Sequence, residues 1–242
     1  MKKVARAIVD RTVVPLLAYL RYRIPADRRV LIERPGVVTV TWQRAVAESA
    51  DYAEQCMANA LCFANIDEVW KYAYDSRALA GLIVEFGVWT GRSINYFASL
   101  AGREPIYGFD SFEGLQEDWR GWSFAKGHFS LAGEPPKVSP NVTLVKGWFD
   151  QTLPEFLTTH RDAFSFVHID CDTYEGASTV FRLAADRFVP GTVVLFDEYF
   201  GYRGWKLGEF KAWQEFVQRQ QIAYDYLAFS DQACLVKVTK VR

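Results

Sequence analysis

The chain has 242 residues, of which 50% are hydrophobic and 16% aromatic, and its formal net charge is −1. A chain of this length and apolar content can bury a large core, either as one α/β domain or as one domain with an appendage. The near-neutral charge gives no general electrostatic attraction for nucleic acid. No apolar run reaches the ~20 residues that a transmembrane helix needs.

Cysteine usage indicates the redox environment. The four cysteines form no CxxC pair and no zinc-finger spacing; they are Cys56, Cys62, Cys171 and Cys234. This pattern favours a reduced, cytoplasmic protein over a disulfide framework.

The N-terminus is basic. Residues 1–34 carry nine Lys or Arg against three Asp or Glu, a net charge of +6, and apolar residues at helical spacing predict an amphipathic helix over 13–24. Because Asp10, Arg11 and Pro15 interrupt any signal-peptide core, the segment is expected to be retained. We expect an arm in a homo-oligomer or a cover over the active site; a helix on an anionic membrane surface and a solvated helix are the alternatives.

The rest of the chain divides by hydrophobic period. Helical patterns cover residues 42–63 and 67–79, and from residue 82 strands and helices alternate. Strands are predicted at 82–87, 105–110, 141–147, 164–170, 192–197, 222–228 and 233–239, with helices at 92–100, 152–160, 175–188 and 207–219. This alternation predicts a Rossmann-like α/β fold with a mainly parallel, doubly wound, seven-stranded sheet. We expect a helical extension over 1–80 and a catalytic domain over 81–242.

The first two strands of the alternation indicate a nucleotide-type ligand. The first ends in Glu85 within IVEFGVWTGRS, where glycines allow close backbone approach and a helix N-terminus follows. The second ends in Asp110 within YGFDSFEGL, and an acid at this point commonly binds a ribose diol. The spacing is neither G-x-G-x-x-G nor a P-loop, so dinucleotide or ATP binding is not favoured.

These segments carry a resemblance to a known family. VEFGVWTGRS, GFDSFEGL, VKGWFDQTLP, HIDCDTYEG and PGTVVLFDEY, in this order, resemble the macrocin O-methyltransferase family within the class I S-adenosylmethionine-dependent methyltransferases. The resemblance implies that S-adenosylmethionine binds with Trp148 and Phe149 beside its adenine. The predicted cofactor-binding residues are Glu85, Gly87, Thr90, Gly91, Ser93, Asp110, Ser111, Gly147, Trp148 and Asp170.

Acidic residues gather after two later strands. Asp170 and Asp172 lie in HIDCDTYEG, and Asp197 and Glu198 lie in LFDEY. The 27-residue separation of Asp170 and Asp197 suits one crossover helix and a returning strand, which would bring the strand ends about 5 Å apart. Carboxylates so close repel unless a cation intervenes, and all-oxygen ligands favour magnesium, manganese or calcium over zinc.

The family resemblance implies which acids bind the cation, Mg²⁺ or Mn²⁺. It maps the ligands onto Asp170, Asp197 and Glu198, with Asp172 as a competing ligand or a substrate contact. Asp170 is the candidate for both ligand and general base. His168 is a second catalytic candidate, although it is better explained as a core residue that supports the site; His128 is an alternative base.

The aromatic segment YFGYRGWK follows the second acidic pair. Its composition suits a mobile loop over a sugar or a flat polyketide, although Tyr199 and Phe200 also suit core packing. The residues predicted to contact substrate are Asp172, Tyr174, Tyr199, Tyr202 and Trp205.

The resemblance implies a metal-dependent O-methyltransferase that acts on a hydroxyl of a sugar or glycosylated small molecule. A catechol-type or hydroxylase-like activity on the same fold is the alternative within enzymes. A non-catalytic binding subunit is the alternative outside them. The acceptor and the hydroxyl that is methylated do not follow from the sequence.

Overall fold

The computed structural model describes residues 36–241. The chain divides into two compact units, Met1–Arg44 and Ala45–Arg242. The predicted helix over 13–24 and the basic segment up to residue 34 lie outside the described residues. The sheet and the candidate site described below belong to the second unit.

Helices and strands alternate from residue 82 as the sequence predicts. The helices are α1 (Val37–Cys56), α2 (Ile66–Asp75), α3 (Arg92–Ala101), α4 (Phe149–Thr159), α5 (Tyr174–Leu183) and α6 (Glu209–Gln220). The strands are β1 (Leu61–Cys62), β2 (Leu82–Phe86), β3 (Ile106–Asp110), β4 (Val142–Lys146), β5 (Phe164–Ile169), β6 (Val193–Phe196), β7 (Ala223–Phe229) and β8 (Cys234–Lys240). Short 3₁₀ turns lie at Ala185–Arg187 and Trp205–Leu207.

Within residues 36–241 the strands form one eight-stranded sheet in the order β1-β7-β8-β6-β5-β2-β3-β4. All neighbours pair in parallel except β8, which is antiparallel to both β6 and β7. The chain moves one way from β2 to β4 and the other way from β5 to β6. The order therefore reverses between β2 and β5, the place where sheets of this kind bind ligands. The predicted doubly wound α/β fold is confirmed.

The sheet has one strand more than the seven predicted, because the segment 42–63 is not helical throughout. Helix α1 ends at Cys56, a turn follows in which the N–H of Ala60 donates to the carbonyl of Met57, and Leu61–Cys62 pairs with β7 at the sheet edge. This strand is defined by backbone pairing with a segment more than 160 residues away, which the local hydrophobic period does not reveal.

The three central strands are buried along their whole length. Every residue of β2, β5 and β6 is buried, as expected for parallel strands covered on both faces. Helix α5 packs against α4 and α6, while α2 packs against α3.

The structure also bears on the membrane question. Within residues 36–241, no helix combines the length and the apolar character that a membrane crossing requires. The predicted boundary at residue 80 between an extension and a catalytic domain stays a prediction.

Candidate functional site

A cavity of about 300 Å³ opens at the carboxyl ends of β2, β3, β5 and β6. It lies at the point where the strand order reverses. Seven of the predicted cofactor-binding residues line it, namely Gly87, Thr90, Ser93, Asp110, Ser111, Trp148 and Asp170. Gly91 and Gly147 shape the adjoining turns, and Glu85 lies fully buried beneath the cavity floor.

The turn after β2 brings the backbone close to β5. Gly87 has φ +93°, and a Cβ atom there would overlap the backbone carbonyl of Asp170. Gly91 caps α3 in the left-handed conformation, so the first N–H groups of that helix follow directly after the turn. This close approach requires glycine at position 87.

Asp110 holds the same turn from the next strand. One of its carboxylate oxygens accepts hydrogen bonds from the N–H groups of Val88 and Trp89, each at 2.8 Å, and the other accepts from the N–H of Phe112 at 2.7 Å. The carboxylate thus orders the loop on one wall of the cavity. Its predicted contact with a ribose stays a prediction.

Three charged groups form a buried chain under the cavity. Nδ1 of His168 lies 2.9 Å from Oε2 of Glu85, and Nε2 lies 3.5 Å from Oδ1 of Asp197. Although burial by itself lowers the pKa of His168, Asp197 and Glu85 together raise it well above its usual range. The pKa of Asp197 is lowered because the contact with His168 outweighs burial. The contacts with Glu85 and Asp197 thus favour the protonated form of His168.

Carboxylates also converge at the cavity itself. Oxygen atoms of Asp170, Asp172 and Glu198 all lie within 4.8 Å of one another. Burial and then neighbouring carboxylates raise the pKa of each well above its ordinary value. Oε2 of Glu198 is buried and has no hydrogen-bond partner among the described residues. This all-oxygen set with an orphaned oxygen fits a hard divalent cation.

The converging acids differ in one position from the predicted metal ligands. Asp170 and Glu198 belong to the three, but the third member is Asp172, and Asp197 instead has an oxygen directed at His168. Asp172 has φ +64° in the loop after β5, and in this conformation one of its oxygens lies within 4.8 Å of oxygens of Asp170 and Glu198. Asp172 was the competing ligand in the sequence analysis.

A fifth acid was missed by the sequence analysis. Glu209, the first residue of α6, is fully buried, and its Oε1 accepts from the N–H groups of Cys171 and Asp172 at 3.0 and 3.2 Å. Burial, followed by the charge of Asp170, raises its pKa well above the ordinary value. An acid in the first turn of a helix is usually explained by the helix dipole, so local sequence gave no signal of this contact.

Three of the predicted substrate residues are placed differently from the expectation. Tyr199, Tyr202 and Trp205 are each at most 1% exposed and do not line the cavity. The hydroxyl of Tyr199 contacts that of Tyr226 at 2.8 Å, and the Trp205 ring packs edge-on against Phe210. The aromatic rings of this segment are thus buried: Tyr199 and Trp205 contact residues of α6 or β7, while Tyr202 packs against Trp119 and Trp122.

Of the remaining predicted side chains, Tyr174 lies beside the main cavity and His128 lies outside its lining. Tyr174 donates its hydroxyl hydrogen to Glu215 at 2.6 Å and lines a smaller adjacent cavity, which Asp172 shares. His128, the alternative base, stacks on Phe124 and does not line the main cavity.

An aromatic wall completes the cavity. Trp89, Trp119, Phe129, Trp148 and Phe149 line it, and the exposed ring of Trp89 packs edge-on against Phe129 at 5.2 Å. Trp119 and Phe129 come from the long connection between β3 and β4. Such a wall can receive flat rings and the apolar faces of sugars.

Comparisons with known proteins agree with this geometry. Residues 84–199 match the family described as "Methyltransferase domain". No curated protein matches the chain in a sequence search. The matched segment includes the carboxyl ends of β2, β3, β5 and β6, and the predicted methyltransferase activity is confirmed.

Solved structures show the same fold. The calicheamicin methyltransferase CalS11 aligns with a TM-score of 0.59 and 22% identity over 71% of this chain and 77% of its own. The O-methyltransferase NovP aligns with a TM-score of 0.57 and 18% identity over 72% and 79%. At these identities the similarity shows the fold alone.

Proposed function

We propose that the protein transfers a methyl group from S-adenosylmethionine to a hydroxyl of a sugar or glycosylated small molecule, with a divalent cation bound by the carboxylate cluster. The observation that carries the proposal is the convergence of Asp170, Asp172 and Glu198 beside the cavity of a methyltransferase domain. Mg²⁺ and Mn²⁺ are the cations that these ligands suit.

The cofactor is assigned to the part of the cavity beside the β2 turn. The unpaired N–H groups at the start of α3 suit the carboxylate of a methionine moiety. Asp110 lies at the end of the adjacent strand, where a carboxylate suits a ribose diol. Trp148 and Phe149 offer apolar surface for an adenine. Asp170 lines the cavity between this part and the acid cluster.

The chemistry requires an acceptor hydroxyl held in line with the methyl group and a group that takes its proton. A bound divalent cation would lower the pKa of such a hydroxyl. Asp170 is the proposed base, with Asp172 as the alternative. His168 is fully buried and contacts a carboxylate on each side, so it orients Asp197 rather than accepting the proton.

The acceptor class is supported by the aromatic wall and by related proteins of the same fold. A CalS11 structure described as a TDP-rhamnose 3'-O-methyltransferase aligns at 24% identity with a TM-score of 0.50, over 71% of this chain and 76% of its own. Trp89 and Phe129 line the same cavity as the carboxylates, so they are the proposed contacts for the sugar. The macrocin O-methyltransferase family is the proposed closer grouping.

Calorimetry with S-adenosylmethionine, with and without Mg²⁺, tests the binding part of the proposal. Asp110→Ala should weaken cofactor binding by about 1.5–3 kcal/mol, the cost of losing hydrogen bonds to a charged group. Asp150→Ala is the matched control, because Asp150 is an exposed acid outside the cavity lining. Unchanged affinity in Asp110→Ala would place the ribose elsewhere, and absence of binding by the parent protein would contradict the cofactor assignment.

A further inference from the structure

Glu209 connects helix α6 to the loop that carries Asp172. Its side chain is 0% exposed, and one oxygen accepts from two consecutive backbone N–H groups, those of Cys171 and Asp172. The other oxygen has no hydrogen-bond partner among the residues that the structure describes. A carboxylate in this position is costly to bury, and the two donors and the positive end of α6 offset only part of the cost.

The loop that Glu209 contacts has an unusual backbone. Asp172 has φ +64°, a left-handed conformation that is uncommon for residues other than glycine, although Asp and Asn adopt it more readily than the rest. A tight turn accompanies it, in which the N–H of Thr173 donates to the carbonyl of Cys171 at 2.6 Å. This conformation brings an oxygen of Asp172 within 4.8 Å of oxygens of Asp170 and Glu198. The residue with the left-handed backbone, Asp172, is therefore one of the two whose N–H groups donate to Glu209.

We propose that Glu209 is a positioning residue, which holds the backbone of Asp172 in the left-handed conformation so that its carboxylate joins Asp170 and Glu198. The inference rests on the proposed function, in which Asp170, Asp172 and Glu198 bind a divalent cation. Glu209 does not bind the cation itself; it affects cation binding through the conformation of Asp172.

The test measures Mn²⁺ affinity of the full-length protein by calorimetry, with Glu209→Ala, Asp172→Ala and the double variant compared with the parent. Glu209→Ala should lower the affinity about 10–100-fold, the range for losing a group that orients a metal ligand. In the Asp172→Ala background the same change should have no further effect. Glu209→Gln keeps a carbonyl acceptor and should lie between the parent and Glu209→Ala. Glu175→Gln is the control for lost charge, because Glu175 is an exposed acid in the same region.

A second measurement does not depend on the cation. Hydrogen exchange at the amides of Cys171 and Asp172 should accelerate in Glu209→Ala, and less in Glu209→Gln. If Glu209→Ala does not fold, Glu209→Gln carries both measurements, with faster exchange and an affinity loss that disappears in the Asp172→Ala background.

Unchanged exchange in the folded variants, or effects of Glu209 and Asp172 on affinity that simply multiply, would overturn the inference. A parent protein that binds no Mn²⁺ would instead contradict the proposed function, while the exchange result would still decide the role of Glu209.

Discussion

Nδ1 of His168 lies 2.9 Å from Oε2 of Glu85, and both side chains are almost completely buried. The two residues are register partners on the adjacent parallel strands β5 and β2. The strand pairing at the point where the sheet order reverses therefore fixes this ion pair, and Ser93 supports it by donating to the other oxygen of Glu85. The ionisable side chains of Glu85 and His168 therefore contact each other rather than solvent.

Breaking this pair should strongly destabilise the fold. His168→Gln removes the basic group that contacts both the buried Glu85 and the partly exposed Asp197, so the free energy of unfolding should fall by about 3–5 kcal/mol. Denaturant titration gives the value. Asp75→Asn is the control, since the Lys71–Asp75 pair is exposed and screened by solvent, so its loss should change stability far less. Equal stability of the two variants would show that His168 is not an essential charge partner.

Gly87→Ala tests the close approach of the β2 turn to β5. A side chain there meets the carbonyl of Asp170 as well as an unfavourable φ, so we expect lost S-adenosylmethionine binding and a stability loss of roughly 1–3 kcal/mol. Gly102→Ala isolates the effect of positive φ, because Gly102 has φ +64° and open space around it. Calorimetry and thermal unfolding measure both effects. A Gly87→Ala variant that behaves like Gly102→Ala would contradict the proposed contact.

The four thiols should separate into two classes. Cys56 and Cys62 are exposed, while Cys171 and Cys234 are buried. Burial, followed by the charge of Glu209, raises the pKa of Cys171, and burial raises the pKa of Cys234. A thiol reagent should therefore modify two cysteines rapidly in the native protein and the other two only after unfolding. Rapid modification at Cys171, located by mass spectrometry, would show that the loop after β5 opens readily.

The sequence was sufficient for the elements that depend on local pattern and chain order. Alternating apolar segments located β2 through β8, and the crossover between Asp170 and Asp197 placed two acids at neighbouring strand ends, as the β5–β6 pairing shows. The edge strand Leu61–Cys62 was missed because it depends on β7. The contact between Glu209 and the loop at Asp172 was missed because it joins segments 37 residues apart through backbone N–H groups.

The positions of the aromatic side chains after β6 also could not be predicted from the sequence. Composition suited Tyr199, Tyr202 and Trp205 to a substrate-binding loop, whereas the structure buries all three. Composition alone cannot distinguish an aromatic residue that lines a cavity from one that packs beneath it, because both require a large apolar surface.

The carboxylates should contribute unequally to catalysis. Asp170→Asn should reduce metal-stimulated turnover at least as strongly as Asp197→Asn, because Asp170 belongs to the converging cluster and is the proposed base, while Asp197 has an oxygen directed at His168. An amide at position 170 is a poorer ligand for a hard cation, and Asp197→Asn removes the charge that faces His168, so both variants should lose most activity, Asp197→Asn while still binding S-adenosylmethionine. Steady-state kinetics and calorimetry check this, with Asp150→Asn as the control. Parent-like turnover in Asp170→Asn would exclude it as base and ligand.

Methyl transfer from labelled S-adenosylmethionine to a nucleotide-linked deoxysugar, first with Mg²⁺ and then with excess chelator, tests the central claim most directly. The account predicts label on a sugar hydroxyl in Mg²⁺, loss of transfer in chelator, and recovery when Mg²⁺ is restored. Transfer that proceeds equally well in chelator would contradict the metal-assisted mechanism and leave the convergence of Asp170, Asp172 and Glu198 without its proposed role.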